Sequence, residues 1–496
     1  MLNGTLIQYF HWYYPTDHSL WKKLKQDAPY LESLGFHSAW LPPVYKGIHG
    51  DLSIGYDTYD LFDLGEFDQK GSISTKYGIK QELIDAIKTA QERGIAIYMD
   101  VVVNHKGGAD EKEKVKAVKV DPQNRNEIIS APYEIEAYTK FFFPGRNGKY
   151  STYVWDFHSF TGVDYDASKN ESGVYKLLNE YGNDWENVPS EEMGNFDYLM
   201  HADIEFRNPN VTGELKYWIK WFYETLHFDG LRLDAIKHIT PDFFNEWLEY
   251  IEHEPAIDKP MFVVGEYWET NNVQLLLDYL AATNERVALF DAILQHRFHA
   301  ASKGGKDFDL AKLFEDTLVS TRPDKAVTLV ANHDTQPLQS LEAPVEPWFK
   351  PLAYAAILLR KDGYPCVFYP DLFGADYTDK GGDGNEYHIS MPKVDKIELL
   401  LQARQRFAYG DQTDIFDHAN CIGWVRYGDA AHENSGCVVL ICNGDDGYKD
   451  IDMGKDKAGT VNIDFLGNRT EEVKINDDGV GRFLVRAGSV SVWVRK

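Results

Sequence analysis

At 496 residues the chain has room for about three domains, or for one α/β barrel with additions. Its 43% hydrophobic and 26% charged residues are those of an ordinary soluble globular protein. A net charge of −27 argues against nucleic acid or an anionic membrane as partner, because both recruit clustered Lys and Arg. It leaves carboxylates available for a hard cation. The 30 Tyr and 12 Trp imply a well-filled core, or flat rings on which a ligand can stack. Cys366, Cys421, Cys437 and Cys442 have no zinc-ribbon spacing and read as free thiols. Met1 is followed by a polar start without a basic n-region or apolar h-region, and the apolar run Leu352 to Leu359 is too short to span a bilayer. A cytoplasmic monomer is expected; a leader already removed would make it a secreted one.

The elements alternate from the start. Strand Thr5 to Phe10 precedes helix Ser19 to Leu34, stopped by Gly35, and strand Phe36 to Leu41 ends at Pro42-Pro43. Helix Ile79 to Arg93, Gly94 and strand Ile95 to Val103 form the next unit. From His105 to Arg207 the rhythm stops; about a hundred residues is too long for a loop, so a domain is inserted there. Its charged stretch Glu111 to Lys119 is expected to be a solvated helix or loop. Alternation resumes with helix Val211 to Leu226 and strand Phe228 to Leu233, then helix Pro241 to His253 and strand Met261 to Gly265. Helix Asn272 to Ala282 leads to strand Ala288 to Phe290, helix Leu310 to Ser320 to strand Ala326 to Ala331, and helix Trp348 to Arg360 to strand Cys366 to Tyr369. A last helix spans Lys396 to Phe407. Eight βα units predict a (β/α)8 TIM barrel, built from residues 1–104 and 208–398 around an insert at 105–207. Residues 399–496, with short alternating strands and Asn-Gly and Asp-Gly turns, predict an antiparallel β-sandwich. Gly381 to Gly384 and Gly479 to Gly481 read as turns, not phosphate loops.

In such a barrel the chemistry gathers at the C-terminal ends of the strands. Those ends carry Asp100, Asn104 and His105 after strand three, and Arg232, Asp234, Lys237 and His238 after strand four. Strand five ends in Glu266-Tyr267-Trp268 and strand seven in Asn332-His333-Asp334. A single such acid is as often a helix cap or ion pair; three converging on one mouth suit glycosidic bond cleavage, which needs a carboxylate nucleophile and a general acid. Arg232 is expected to keep Asp234 ionised as nucleophile. An apolar frame of Tyr267 and Trp268 is expected to keep Glu266 protonated. Asp334 would orient hydroxyls, with His105 and His333 as further donors. A transglycosylase shares this intermediate, and a silent carbohydrate-binding scaffold or a metal-dependent hydrolase are the other classes to weigh. Intact carboxylates oppose the scaffold, and no His cluster of zinc-ligand type lies at the strand ends.

The blocks Asp100 to His105, Gly230 to His238, Gly265 to Trp268 and Val330 to Asp334 resemble, in order, the four conserved blocks of the α-amylase family. Gly55-Tyr56-Asp57, Asn195 to Met200 and Asn332 to Gln336 extend the resemblance over nearly the whole chain, toward bacterial liquefying enzymes and their intracellular relatives. The resemblance implies retaining endo-hydrolysis of α-1,4-glucans such as starch, glycogen or maltodextrins, with Asp234 as nucleophile, Glu266 as acid/base and Asp334 as transition-state stabiliser. It implies substrate contacts from Tyr56, His105, Arg232, Lys237, His238, Trp268 and His333. It also implies one structural Ca2+ on Asn104, Asp197, Asp203 and the His238 carbonyl, with oxygen ligands suited to a hard cation. The chain departs where liquefying enzymes carry further metal positions: Asp184 is kept, but Thr161, Glu205 and Arg207 replace aspartates. Ala419, Asn420 and Asn443 stand where a site between barrel and C-terminal domain would need acids, so additional ions are not expected.

Overall fold

The computed structural model describes residues 3–181 and 184–496. Eight parallel strands close a barrel: β1 Leu6–Gln8, β2 Ser38–Trp40, β3 Ala96–Val101, β4 Gly230–Leu233, β5 Phe262–Gly265, β6 Ala288–Phe290, β7 Ala326–Leu329 and β8 Tyr364–Phe368. Each pairs with its sequence neighbours, and β1 closes the ring on β8. The strands read as apolar runs because helices cover them outside while packed side chains fill them inside. Phe10, Trp40 and Phe290 form edge and tilted ring contacts at 5.3–5.4 Å in that filling. Outside, helix Pro241–His253 shows the usual logic: proline opens the first turn, and Phe243, Phe244, Trp247, Leu248 and Ile251 bury one face.

Most expected elements are present, with strand and helix ends shifted by at most two residues. Three readings are corrected. The helix expected over Leu310 to Ser320 is two short turns, Leu310–Lys312 and Leu318–Thr321, because Asp316 is left-handed (φ 48°) and Thr317 caps a new turn through Ser320 N–H. Helix Ala292–Gly304 follows β6 unforeseen; its buried positions run almost all round, so it has no clear polar stripe. The charged stretch expected as a solvated helix or loop is strand Glu111–Asp121. Val115 and Ala117 join the main core and Val120 packs with Trp185 and Tyr198, while the strand's Lys and Glu lie mostly outside and pair across to Tyr133–Lys140.

That strand belongs to a seven-stranded sheet of the insertion. The sheet is tied to the barrel through His105–Lys106 and Ala202–Ile204, antiparallel neighbours at its edge. Beyond the barrel, helix Ile397–Phe407 leads to a six-stranded antiparallel sheet faced by the hairpin Gly447–Asp452/Val480–Val485. Val438, Leu440, Ile451, Phe483 and Trp493 form the core between these two layers, as in a sandwich. Gly381 to Gly384 is the turn of hairpin Ala375–Lys380/Glu386–Met391. The four cysteines are free and buried.

Candidate active site

Register builds the site. Arg232 on β4 stands opposite Asp100 on β3 and Val264 on β5, so its side chain enters the barrel between the two acid-bearing strand ends. The ladder continues past the strands: Asp234 N–H donates to Val101 O, and Glu266 N–H to Leu233 O, both at 2.9 Å. Gly265 leaves room for Ile236 beside Glu266, since a Cβ there would sit 2.3 Å from Ile236 Cδ1 and push that side chain aside. Ala235 adopts a left-handed conformation (φ 51°), strain of order 1 kcal/mol that turns its N–H onto Glu266 Oε2 at 3.2 Å.

One fully buried guanidinium holds three carboxylates. Arg232 Nη1 donates to Asp100 Oδ1 (2.9 Å) and Asp234 Oδ1 (2.6 Å), and Nη2 to Glu266 Oε2 (2.6 Å). Asp100 Oδ2 also accepts from Trp40 Nε1 (2.9 Å) and Tyr56 OH (2.8 Å), so it is spent on structure. Asp234 Oδ2 and Glu266 Oε1 accept no hydrogen bond among the described residues, and both acids line a cavity of about 530 Å3.

Charge in this mouth is uneven. Burial pushes Asp234 well above the usual carboxylate range; Arg232 opposes that push, and Glu266, Asp100 and Asp334 add to it. Burial, then Glu266, raises Asp334 to about 8. Arg232 alone does not offset the burial of the acids it faces, and Asp100, Asp234 and Asp334 are all raised. The physical reasons expected from sequence for the two roles are corrected. Arg232 does not single out Asp234, because it grips Glu266 at the same distance. Nor do Tyr267 and Trp268 frame Glu266 together: Tyr267 is buried against Tyr279 at 5.0 Å, and only Trp268 lines the cavity.

The remaining predicted residues surround this centre. Tyr56, Trp12 and His333 lie nearly parallel, with Tyr56 4.8 Å from His333 and 5.9 Å from Trp12. A Cβ on Gly55 (φ 106°) would meet Pro43 Cβ at 2.7 Å, so glycine there lets Tyr56 approach. His333 Nε2 lies 3.2 Å from Asp334 Oδ2, and its Nδ1 3.0 Å from Gln8 Nε2; burial holds the ring neutral. His105, lowered by burial to about 3, meets the Tyr56 carbonyl at 2.8 Å. Lys237 pairs with Glu192 of the insertion and donates to the Trp268 carbonyl (3.3 Å). Trp12, Gln8 and Glu192 were not foreseen. Reading the end of strand one as closely as the others would have found Trp12; Glu192, in a stretch without period, leaves no such signal.

A second acid cluster lies where the insertion meets the barrel. His238 Nδ1 meets the Phe196 carbonyl at 2.6 Å, next to Asp197. Asp203 accepts from Thr161 and from Asn104 Nδ2 (3.3 Å), and Asp197 Oδ2 accepts from Glu186 N–H (2.8 Å). Burial raises Asp197 to about 7 and Asp203 and Glu186 well above the usual range, with mutual repulsion adding to Asp203 and Glu186. Asn104 Oδ1 and Glu186 Oε2 are buried without a partner. Arg207 serves Glu205, through Nε and Nη2 at 2.6 Å each, and Lys176 serves Asp184 at 2.8 Å. At the C-terminal junction, Asn420 and Asn443 bond to each other (3.0 Å) and to the Lys306, Gly305 and Phe308 carbonyls.

An eight-stranded parallel barrel with acids on its strand ends around one cavity defines a glycoside-hydrolase-like architecture. Residues 20–396 match the sequence pattern described as alpha amylase, catalytic domain. The chain is 51% identical to the cytoplasmic alpha-amylase of Escherichia coli K12 over 495 residues, covering all of this chain and 99% of that protein. It is 48% identical to the alpha-amylase of Bacillus licheniformis over 496 residues, covering 100% and 94%. Its fold superposes on an acarbose-complexed alpha-amylase from Geobacillus thermoleovorans with a TM-score of 0.63, at 17% identity, over 96% of this chain and 92% of that one. The chain belongs to the α-amylase family of glycoside hydrolases.

Proposed function

We propose that the chain hydrolyses internal α-1,4-glucosidic bonds of starch, glycogen or maltodextrins with retention, through a covalent glucosyl–Asp234 intermediate. The supporting observation is that one guanidinium fixes an oxygen of both Asp234 and Glu266 and leaves the other oxygen of each free at a single cavity. Asp234 Oδ2 attacks the anomeric carbon while a proton on Glu266 passes to the departing glycosidic oxygen. Glu266 then takes a proton from water, whose oxygen attacks the same carbon and frees Asp234. Asp334, fixed beside neutral His333, accepts from sugar hydroxyls, and Tyr56, His105, Lys237, His238 and Trp268 complete the substrate contacts. The attack needs Asp234 ionised, and Arg232 is the group that favours that form against the push of burial.

Asn104, Asp197, Asp203 and the His238 carbonyl fit one hard cation, the orphaned Asn104 Oδ1 being the donor that lacks a partner. A bound Ca2+ would neutralise the buried acids and fix the insertion against the segment after β4. Arg207 and Lys176 supply internal cations to Glu205 and Asp184, which favours one ion over several. The cellular setting we infer is cytoplasmic, in line with the name of the Escherichia coli relative, and the acting unit a monomer. Among the described residues no helix is long and apolar enough to cross a membrane.

The test is a time course on starch followed by proton NMR. New reducing ends should appear as the α-anomer before mutarotation, and Asp234→Asn should lower turnover by roughly 10^4-fold with the fold intact. Initial β-anomer, or turnover surviving that substitution, would refute the mechanism. Disproportionated oligosaccharides outweighing new reducing ends at low substrate would reassign the chain as a transglycosylase.

A further inference from the structure

The end of the barrel opposite the mouth holds a feature that glucan hydrolysis does not use. A cavity of about 870 Å3 lies there, walled by the first residues of four barrel strands, Phe262, Ala288, Ala326 and Tyr364, and by the C-terminal domain. Arg404 and Arg426 both line it. They are only 4% and 5% exposed, and neither forms an ion pair among the described residues. Arg404 donates to the Gly4 and Leu358 carbonyls, and Arg426 to the Gly410 and Leu359 carbonyls. Leu358 and Leu359 end helix Lys350–Leu358, whose carbonyl-rich terminus compensates the two charges in part. A guanidinium has five N–H donors, so each retains unused ones.

Burial and repulsion from Arg426 lower Arg404 to about 9, a shift that a bound anion would reverse. Lys361, paired with Asp411 at 3.3 Å, lies at the rim, where Asp324 and Asp429 are engaged by Arg322 and by His432. Asp362 and Asp429 favour the charge on Arg426 from beyond ion-pair distance, so two buried guanidinium groups lack a direct carboxylate partner among the described residues, a costly arrangement. The volume exceeds what a bare ion fills, and Phe262 and Tyr364, edge to face at 5.5 Å, offer a wall for an organic body.

We propose that this cavity binds the phosphoryl group of a small organic phosphate, with Arg404 and Arg426 as its guanidinium clamp. The proposal is independent of the glucan-cleaving reading. The test is titration calorimetry of the full chain with inorganic phosphate, a hexose monophosphate and the neutral hexose. Both phosphates should bind one per chain with Kd below about 1 mM, the organic one more tightly, and the neutral hexose not at all. Arg426→Gln, which removes one arm and leaves Arg404 to hold the fold, should weaken both at least about tenfold. A saturating maltooligosaccharide in the mouth should leave them unchanged. Absence of saturable phosphate binding, equal binding by Arg426→Gln, or competition by the maltooligosaccharide would each overturn the proposal.

Discussion

The barrel mouth and the base of the insertion each collect buried acids, but they are balanced differently. In the mouth, Arg232 reaches three of the four carboxylates directly. At the insertion, Arg207 is spent on Glu205, while Glu186, Asp197 and Asp203 repel one another with two buried oxygens nearby unpartnered. The first arrangement carries its own counter-charge and can hold geometry without a guest. In the second the nearest guanidinium is committed to Glu205, and the buried atoms without a partner are oxygens. The two acid clusters are therefore told apart by how directly a guanidinium meets them, not by how many carboxylates they contain.

Arg232→Met would make the mouth resemble the insertion. Leaving buried carboxylates unpaired typically costs 3–5 kcal/mol, so the midpoint in chemical denaturation should fall accordingly and activity should drop by roughly 10^3-fold. A variant of near-native stability would show that the carboxylates are balanced otherwise, and the contrast would fail. Chelation attacks the other side. A chelator should lower the melting temperature, with loss of about 3 kcal/mol at saturating prior Ca2+, and added Ca2+ should restore both stability and activity. Indifference to the chelator would mean that the insertion tolerates its acids unaided.

The parts of this contrast were unequally legible in the sequence. Asp234, Glu266 and Asp334 were readable because a parallel barrel brings strand ends to one mouth, so chain position alone places them together. The triple grip of Arg232 was not, since it depends on the register of β3, β4 and β5, which periodicity does not fix. The same gap hid that Arg232 holds Glu266 as closely as Asp234. Strand Glu111–Asp121 was misread because its charges look like a solvated helix face until its partner, Tyr133–Lys140, is known. Arg404 sits near the end of its helix, where a basic residue ordinarily caps carbonyls in solvent; only the packing of the C-terminal domain brings Arg426 beside it.

The smallest effect asks whether the mouth is overcharged even with Arg232 in place. Asp334 is raised from 3.8 to about 8 by burial first and Glu266 second. Between those values the folded chain holds a proton that the unfolded chain has released. Stability therefore falls as pH rises across the window, and the full cost is present above pH 8. Asp334→Asn removes the charge and keeps the shape. The variant should be nearly inactive yet more stable than the parent by ~1–2 kcal/mol above pH 8, because the remaining acids ionise more readily and take up part of the relief. The difference should shrink steadily as pH falls and vanish below about pH 3, where Asp334 is protonated both folded and unfolded. Melting temperatures of the two proteins across that range measure it. A gap that stays constant with pH would assign the effect to packing, and a variant less stable than the parent at high pH, with the gap closing toward acid, would mean that Asp334 is held ionised by Arg232, making the mouth as fully balanced as its ion pairs suggest.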